Sequence, residues 1–293
     1  MVEDAVALAL CALGIYGLNQ IIAKATVGTI DATSMVAVNV VVSLPIFVFI
    51  FAGAALVWGE YLNHVEYVLY GLVGAATARG GYFIYLEALE RGAVSLVGSV
   101  TAAYPAITAL LAVTLLGEKL GFLSCVGISL IIMSMVALSI SHGRSTDRLA
   151  GFNRTSLVLS LATFFLWGVG AIFIKMALDG LPLIGYLGLY VFVLPPIAFV
   201  YLRHKRAPMQ ILFPSWTVPI VGAIIVAELW QLGYFAETAA VSRGAASIVF
   251  PLISAYPIVT ILGARIFLNE KLSFLDWMLL SIVILGIILI SAA

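Results

Sequence analysis

The sequence predicts an all-α integral membrane protein in which ten transmembrane helices form two inverted repeats of five. Three observations lead to this fold class. The chain of 293 residues is 63% hydrophobic and only 10% charged, with a mean hydropathy of +1.19. Its apolar residues stand in runs of about 20, the length that crosses the hydrocarbon of a bilayer. Several short motifs of the first half recur in the second at a constant spacing.

Charged residues and Gly/Pro-rich breaks divide the apolar runs into ten predicted helices. Those of the first half cover residues 5–23, 33–56, 67–86, 93–116 and 122–140. Those of the second half cover residues 155–174, 183–202, 217–236, 245–264 and 273–292. In the bilayer core every backbone polar group must be satisfied within the protein, and a helix does this within its own segment. Helices are therefore the predicted elements throughout.

The two halves of the chain repeat each other. GYF, RGA, AYP and EKL begin at residues 81, 91, 103 and 118, and again 152 residues later at 233, 243, 255 and 270. The earlier helices match at a spacing of 151, which aligns Lys24 with Lys175. We therefore predict a first repeat over residues 1–142, a loop over 143–154 and a second repeat over 155–293. Because five is odd, the second repeat enters the membrane from the opposite side, and in such carriers the substrate site lies between the repeats.

Each half begins with an aromatic-glycine pair, YG at 16 and WG at 167, and ends with AYP, a GEKL or NEKL turn and a last apolar helix. On these residues the chain resembles the EamA-type drug/metabolite transporter superfamily over nearly its whole length. The resemblance implies a ten-helix secondary carrier of small metabolites, often an exporter, with its pocket between the halves. The chain departs from the family at Asn39 and Tyr190, in the stretches where the second helix of each half often carries an arginine.

Basic residues in the loops predict the orientation in the cell membrane. One side carries Lys24, Arg91, Arg144, Arg148, Arg154, Arg203, Lys205, Arg206 and Lys271, and the other carries Lys119, Lys175 and Arg243. Cytoplasmic loops hold the excess of Lys and Arg, so this distribution places both termini outside. The resemblance implies instead that both termini are cytoplasmic. A reporter fused after Ala293 separates the two, because a cytoplasmic signal would contradict the orientation based on charge.

Ionisable side chains within the hydrocarbon are costly and mark functional sites. Arg79 lies within the third predicted helix and Glu228 within the eighth. The repeat alignment sets Arg79 opposite Gln231, and Tyr82 opposite Tyr234. Glu228, Gln231 and Tyr234 follow one another at intervals of three, which we interpret as one helix face. The leading hypothesis is that Arg79 and Glu228 clamp a zwitterion such as an amino acid.

Two other roles for this pair of charges remain open. Arg79 and Glu228 could neutralise each other as a structural pin or a gate, since buried charges are usually paired. Alternatively, one of them could face a lipid headgroup. Glu228 is in addition the candidate for binding a coupling proton.

Paired prolines indicate where the binding site lies. Pro105 and Pro257 occupy equivalent places in the two repeats, each directly after a tyrosine, Tyr104 and Tyr256. Proline removes a backbone donor and kinks a helix, and interrupted helices in corresponding places surround the substrate in inverted-repeat carriers. We therefore predict that the fourth and ninth helices are walls of a central cavity. Ordinary helix bending is the alternative.

Further residues are candidates for the cavity lining: Tyr16, Asn19, Gln20, Asn39 and Trp167. Each of them serves equally well as a hydrogen bond or packing contact between helices. The Glu-Lys turns at 118–119 and 270–271 are expected to cap and orient adjacent helices.

Other functional classes find no support in the sequence. The net charge is zero, which gives no reason to expect nucleic acid as a partner. The two cysteines lie in apolar runs and the three histidines in separate loops, so neither a disulfide framework nor a metal site is predicted. Because no nucleophile, metal or nucleotide motif occurs, we expect no catalytic residue and no cofactor.

The expected protein is thus a secondary carrier whose partners are a small-molecule substrate and the bilayer. Among substrates amino acids lead, while sugars, nucleosides and amphipathic cations stay open. The alternative from another class is a membrane scaffold that transports nothing. A scaffold needs no charges at mid-depth, so Arg79 and Glu228 favour the carrier.

Overall fold

A computed structural model describes residues 2–26, 29–55, 65–91, 97, 100–146, 154–212, 217–267 and 273–291. All regular elements in these ranges are helical. The α-helices are α1 (Val2–Thr26), α2 (Ala32–Ala54), α3 (Val65–Arg91), α4 (Pro105–Leu115), α5 (Phe122–Thr146), α6 (Arg154–Leu178), α7 (Leu183–Gly188), α8 (Tyr190–His204), α9 (Val218–Val241), α10 (Ala246–Ser254), α11 (Pro257–Phe267) and α12 (Phe274–Ser291). Most of the predicted inter-repeat loop, the start of the predicted fourth helix and the turn at 270–271 lie outside the described residues.

Six helical segments of the described chain are long and apolar enough to cross a membrane. They are Glu3–Ala23, Ala32–Ala54, Arg154–Leu178, Leu183–His204, Val218–Val241 and Phe274–Ser291. Shorter apolar helices cover Val100–Leu115, Phe122–Ser134 and Ala246–Thr260. The predicted class, a multi-pass helical membrane protein, therefore holds, whereas these segments do not by themselves reach the predicted count of ten. Prolines break the fourth and ninth spans, and Arg79 with several glycines lowers the hydropathy of α3.

The predicted fourth and ninth helices are interrupted at the same place in the two halves. Helical residues 100–102 end in a two-residue turn, after which α4 begins at Pro105. In the second half α10 ends at Ser254, and α11 begins at Pro257 after a turn of the same length. Proline has no N–H to donate and its ring clashes with the carbonyl four residues earlier, which favours a break on its N-terminal side.

The most extensive helix pairings join one half of the chain to the other: α3 packs along α6, and α1 packs along α9. At one end of the first pair, the Ser156 hydroxyl donates to the Ala88 carbonyl oxygen at 3.0 Å. Further along, Gly74 lies against Ile174. Because residue 88 meets 156 and residue 74 meets 174, α3 and α6 run antiparallel.

The last helices of the two halves, α5 and α12, cross each other closely. A β-carbon added at Gly127 would meet Ile290, and one added at Gly286 would meet Ile131. Small residues at such a crossing let the backbones of membrane helices approach. The lower-numbered residue of α5 meets the higher-numbered residue of α12, so these two helices also run antiparallel.

Equivalent contacts hold the two halves together. The Thr108 hydroxyl donates to the Gly168 carbonyl oxygen at 3.2 Å, and the Thr260 hydroxyl donates to the Gly17 carbonyl oxygen at 3.3 Å. Thr260 follows Thr108 by 152 residues, and Gly168 follows Gly17 by 151. The same contact is therefore made twice, each time between a helix of one half and a helix of the other.

Glu118 caps a helix of the opposite half. The backbone N–H groups of Ala246 and Ser247 donate to its two carboxylate oxygens at 2.8 and 2.9 Å, and the Ser247 hydroxyl donates to the carboxylate as well. A carboxylate at a helix N-terminus satisfies free N–H groups and complements the helix dipole. Glu118, from the GEKL turn, thus fixes the start of α10, a wall of the cavity described below.

A second carboxylate fixes the end of α3. Glu87 accepts hydrogen bonds from Arg91 at 3.0 Å and from the Tyr201 hydroxyl at 2.6 Å, and it pairs with Lys205. Tyr201 and Lys205 belong to α8 and the residue that follows it, so this cluster fastens α3 to α8. In the second half the equivalent arginine, Arg243, follows α9 and donates instead to the backbone carbonyl of Ala239 in that helix at 2.9 Å.

Candidate functional site

A cavity with an empty volume of about 730 Å³ lies between the two halves. Its walls come from α1, α3, α6, α8, α9, α10 and both proline turns. Eight aromatic side chains line it, together with three residues that carry polar or charged groups, Gln20, Arg79 and Glu237. Pockets with mostly apolar walls and a few placed polar groups are typical small-molecule sites.

Arg79 supplies the cation of the lining and is 3% exposed. Its Nη1 donates to Oδ1 of Asn39 at 3.0 Å, and its Nη2 donates to Oε1 of Gln231 at 3.1 Å. The guanidinium carbon lies 5.8 Å from the ring centre of Phe47 and 5.3 Å from that of Tyr190. Two neutral oxygens and two ring faces therefore stabilise the charge. Among the described residues no carboxylate forms an ion pair with it.

Glu237 supplies the anion of the lining and is buried in α9. Its Oε2 accepts a hydrogen bond from the Tyr16 hydroxyl at 2.9 Å. In the part of the chain that the structure describes, no basic side chain pairs with this carboxylate. An ionised carboxylate can accept about four hydrogen bonds, so Glu237 can accept others from the N–H groups of a ligand.

Aromatic rings surround the two charges. Trp230 stacks on Tyr82 with 4.6 Å between ring centres, and lies 5.0 Å from Tyr16 and 5.9 Å from Trp167. Tyr104 meets Trp167 edge-on at 5.9 Å. Such faces accept apolar and aromatic groups, and they attract cations placed over them.

Much of the wall is built twice, from equivalent positions of the two halves. Tyr16 and Trp167 are related by the 151-residue spacing, and Tyr104 and Tyr256 by the 152-residue spacing. All four line the cavity. The lining therefore follows the sequence repeat.

The two charges depart from this equivalence. The counterpart of Arg79 is Gln231, and the counterpart of Glu237 is Tyr85. Each half thus contributes one charged residue, of opposite sign, at a place where the other half is neutral.

The structure brings most of the residues predicted from sequence to this cavity. Its lining includes Arg79, Tyr104, Trp167, Tyr234 and Tyr256. Three more contact lining residues: Asn39 and Gln231 bond to Arg79, and Tyr82 stacks on Trp230. Pro105 and Pro257 directly follow two of the lining tyrosines. Asn19 is buried but does not line the cavity.

Like Asn19, Glu228 is a predicted site residue that the structure places outside the cavity lining. It is half-buried, does not line the cavity, and forms no ion pair with Arg79 among the described residues. Glu228 and Glu237 are nine residues apart on α9, a rotation of about 900° at 3.6 residues per turn, which puts them on opposite faces. Steps of three fall short of a full turn by about 60° each, so Glu228, Gln231 and Tyr234 do not share one face.

Glu237 is the main residue that the sequence analysis missed. It lies one position beyond the predicted end of the eighth helix at 236, whereas α9 continues to Val241. Trp230, Tyr234 and Glu237 have the i, i+4, i+7 spacing of a single helix face, and all three line the cavity. That spacing is the feature of the sequence that indicates Glu237 as a cavity residue.

Comparison with known proteins agrees with this architecture. The model of the EamA-like transporter family matches residues 4–140 and again residues 154–292. The uncharacterized protein MJ1333.1 of Methanocaldococcus jannaschii is 29% identical over 140 residues, which are 96% of that protein and 47% of this chain. A protein of known crystal structure matches the fold with a TM-score of 0.73 at 15% identity, over 98% of this chain and 96% of that one. Because the family model covers nearly the whole chain, once in each half, this protein belongs to the EamA-like transporter family.

Proposed function

We propose that this membrane protein is a secondary-active carrier of a zwitterion, namely an α-amino acid with an apolar or aromatic side chain. The observation that carries the proposal is an arginine and a glutamate that line one aromatic cavity without pairing with another charge in the described residues. Arg79 receives the carboxylate of the substrate and Glu237 receives its ammonium group. The aromatic rings of the cavity contact the apolar or aromatic side chain of the substrate.

We further propose that the carrier works by alternating access between two inverted repeats of five helices, residues 1–142 and 155–293, joined by 143–154. Three observations support this. The last helices of the halves, α5 and α12, run antiparallel. The same family model matches each half, and nearly the whole of MJ1333.1 aligns with 47% of this chain. Rocking one repeat against the other would expose the shared cavity to each side in turn.

Glu237 takes over the coupling role that the sequence suggested for Glu228. A carboxylate buried within the apolar span Val218–Val241 needs a partner for its charge. The substrate's ammonium group neutralises it in one direction of transport, and a proton neutralises it in the other. Such an exchange would export the amino acid against the entry of a proton.

An amphipathic cation is the second candidate substrate. Glu237 surrounded by tyrosine and tryptophan rings is a chemistry that also holds a large cation. Arg79 in the same cavity disfavours such a substrate. A cation without a carboxylate leaves the guanidinium without a counter-charge and is repelled by its positive charge.

Flux into liposomes that contain the purified protein tests the proposal. The probes are phenylalanine, phenethylamine, which lacks the carboxylate, and phenylpropionate, which lacks the amine. We expect the protein to transport phenylalanine and to discriminate against both analogues. Transport of phenethylamine alone would favour the cation carrier, and no flux of any amino acid would refute the proposed function.

Glu228→Gln is expected to leave phenylalanine transport within about twofold of the wild type, the range of substitutions that touch no special feature. The reason is its place on the face of α9 opposite Glu237, outside the cavity lining. Initial rates over a range of external pH measure this. A loss of transport, or of its pH dependence, in the Glu228→Gln variant would show that Glu228 and not Glu237 binds the substrate or the coupling proton.

A further inference from the structure

Arg79 is held by neutral partners where a buried arginine usually meets a carboxylate. Asn39 is fully buried and Gln231 is 1% exposed, and each gives its amide oxygen to a different nitrogen of the guanidinium. Bonds to neutral oxygens fix the side chain without cancelling its charge. A carboxylate at either position would fix the Arg79 side chain and also cancel its charge.

The two amides also offer donors beside the arginine. A guanidinium only donates, so each amide must present its oxygen to Arg79 and turn its NH2 group elsewhere. Nδ2 of Asn39 and Nε2 of Gln231 are buried and have no hydrogen-bond partner within the described structure. Buried donors without a partner are rare and unfavourable for folding, and they point to a functional role. Neither amide is among the residues that line the cavity, and both reach it through Arg79.

The groups around the guanidinium come in equivalent pairs. Arg79 and Gln231 are related by the 152-residue spacing, and Asn39 and Tyr190 by the 151-residue spacing. The guanidinium therefore lies where corresponding positions of the two halves meet. A single substitution in either half can change its charge.

We infer that Asn39 and Gln231 are specificity-determining residues of the carrier. As neutral amides they hold Arg79 without neutralising it, and they leave its charge for the carboxylate of the substrate. The inference rests on the proposed function, since it assigns Arg79 to the carboxylate of a zwitterion.

Asn39→Asp and Gln231→Glu distinguish this role from mere support of the arginine. Both substitutions keep the size of the side chain and its oxygen acceptor, and they add a negative charge. If the amides only supported Arg79, an ion pair would do so at least as well. If they preserve its charge for the substrate, the new carboxylate competes with the carboxylate of the substrate.

The experiment compares these variants in liposomes with phenylalanine and phenethylamine as probes. We expect Asn39→Asp and Gln231→Glu to raise the KM for phenylalanine by about tenfold or more, which corresponds to roughly 1.4 kcal/mol. Both should gain flux of phenethylamine, because the added carboxylate replaces the missing one, and both should keep the wild-type Tm. Asn39→Leu, which removes the amide without adding charge, should weaken phenylalanine transport without gaining phenethylamine flux.

Ser43→Ala is the matched control, because Ser43 lies one turn further along α2, is fully buried and forms no hydrogen bond with Arg79 among the described residues. It should transport phenylalanine like the wild type. Wild-type KM values in Asn39→Asp and Gln231→Glu, while the wild-type protein transports phenylalanine, would overturn the inference and leave the proposed function standing. A wild-type protein that transports no amino acid would overturn both.

Discussion

Glu237→Gln is expected to lower the kcat/KM for phenylalanine transport by roughly 10- to 100-fold. Glutamine matches glutamate in size and can still accept the hydrogen bond of the Tyr16 hydroxyl, so the fold should be preserved. What it loses is the negative charge that receives the ammonium group. A hydrogen bond to a charged group is worth about 1.5–3 kcal/mol, and each 1.4 kcal/mol is tenfold in an equilibrium constant.

Initial rates in liposomes, together with the Tm of the purified protein, measure this effect. Glu228→Gln provides the control, because it removes the same charge from the same helix on the face away from the cavity. Phenylpropionate, which has no ammonium group, should be transported by the Glu237→Gln variant at least as well as by the wild type. Equal phenylalanine kinetics in the Glu237→Gln variant and the wild type would remove Glu237 from the binding site.

The repeat in the sequence predicted much of the candidate site. The AYP motif recurs at one spacing and predicts Tyr104 and Tyr256 at the cavity, and both line it. The same alignment set Arg79 opposite Gln231, and the two side chains are hydrogen-bonded. Equivalent residues of the two halves lie close together around the cavity, so the alignment carries three-dimensional information.

The rotation of each helix about its own axis could not be predicted in this way. In a soluble protein an apolar stripe shows which face of a helix points inward. The membrane helix α9 is apolar over most of its surface, so no apolar stripe distinguishes the face of Glu237 from that of Glu228, and only the spacing of Trp230, Tyr234 and Glu237 favours the former. The predicted end of the eighth helix at 236 has the same cause, because a charged residue after an apolar run is read as the end of the run. Packing against α1 fixes the rotation, and that contact is visible only in the structure.

Two aromatic side chains that line the cavity pack directly against glycines. A β-carbon at Gly233 would stand 2.6 Å from Cε1 of Tyr16, and one at Gly81 would stand 2.6 Å from Nε1 of Trp167. Gly81 and Gly233 are equivalent in the repeat, as are the two aromatic residues. Both are closer than ordinary van der Waals contact, so any side chain at these glycines must displace the ring above it.

Gly233→Ala is therefore expected to lower the stability by about 1–3 kcal/mol, the usual cost of overpacking. It should also lower phenylalanine transport by about tenfold, since the displaced Tyr16 no longer bonds Glu237.

Gly80→Ala is the control, because a β-carbon there has no neighbour within 4 Å, and its Tm and transport should match the wild type. If Gly233→Ala acts through the ring, it should cost little more in a Tyr16→Ala background, which a double-mutant cycle measures. Full additivity in that cycle would show that Gly233 acts elsewhere.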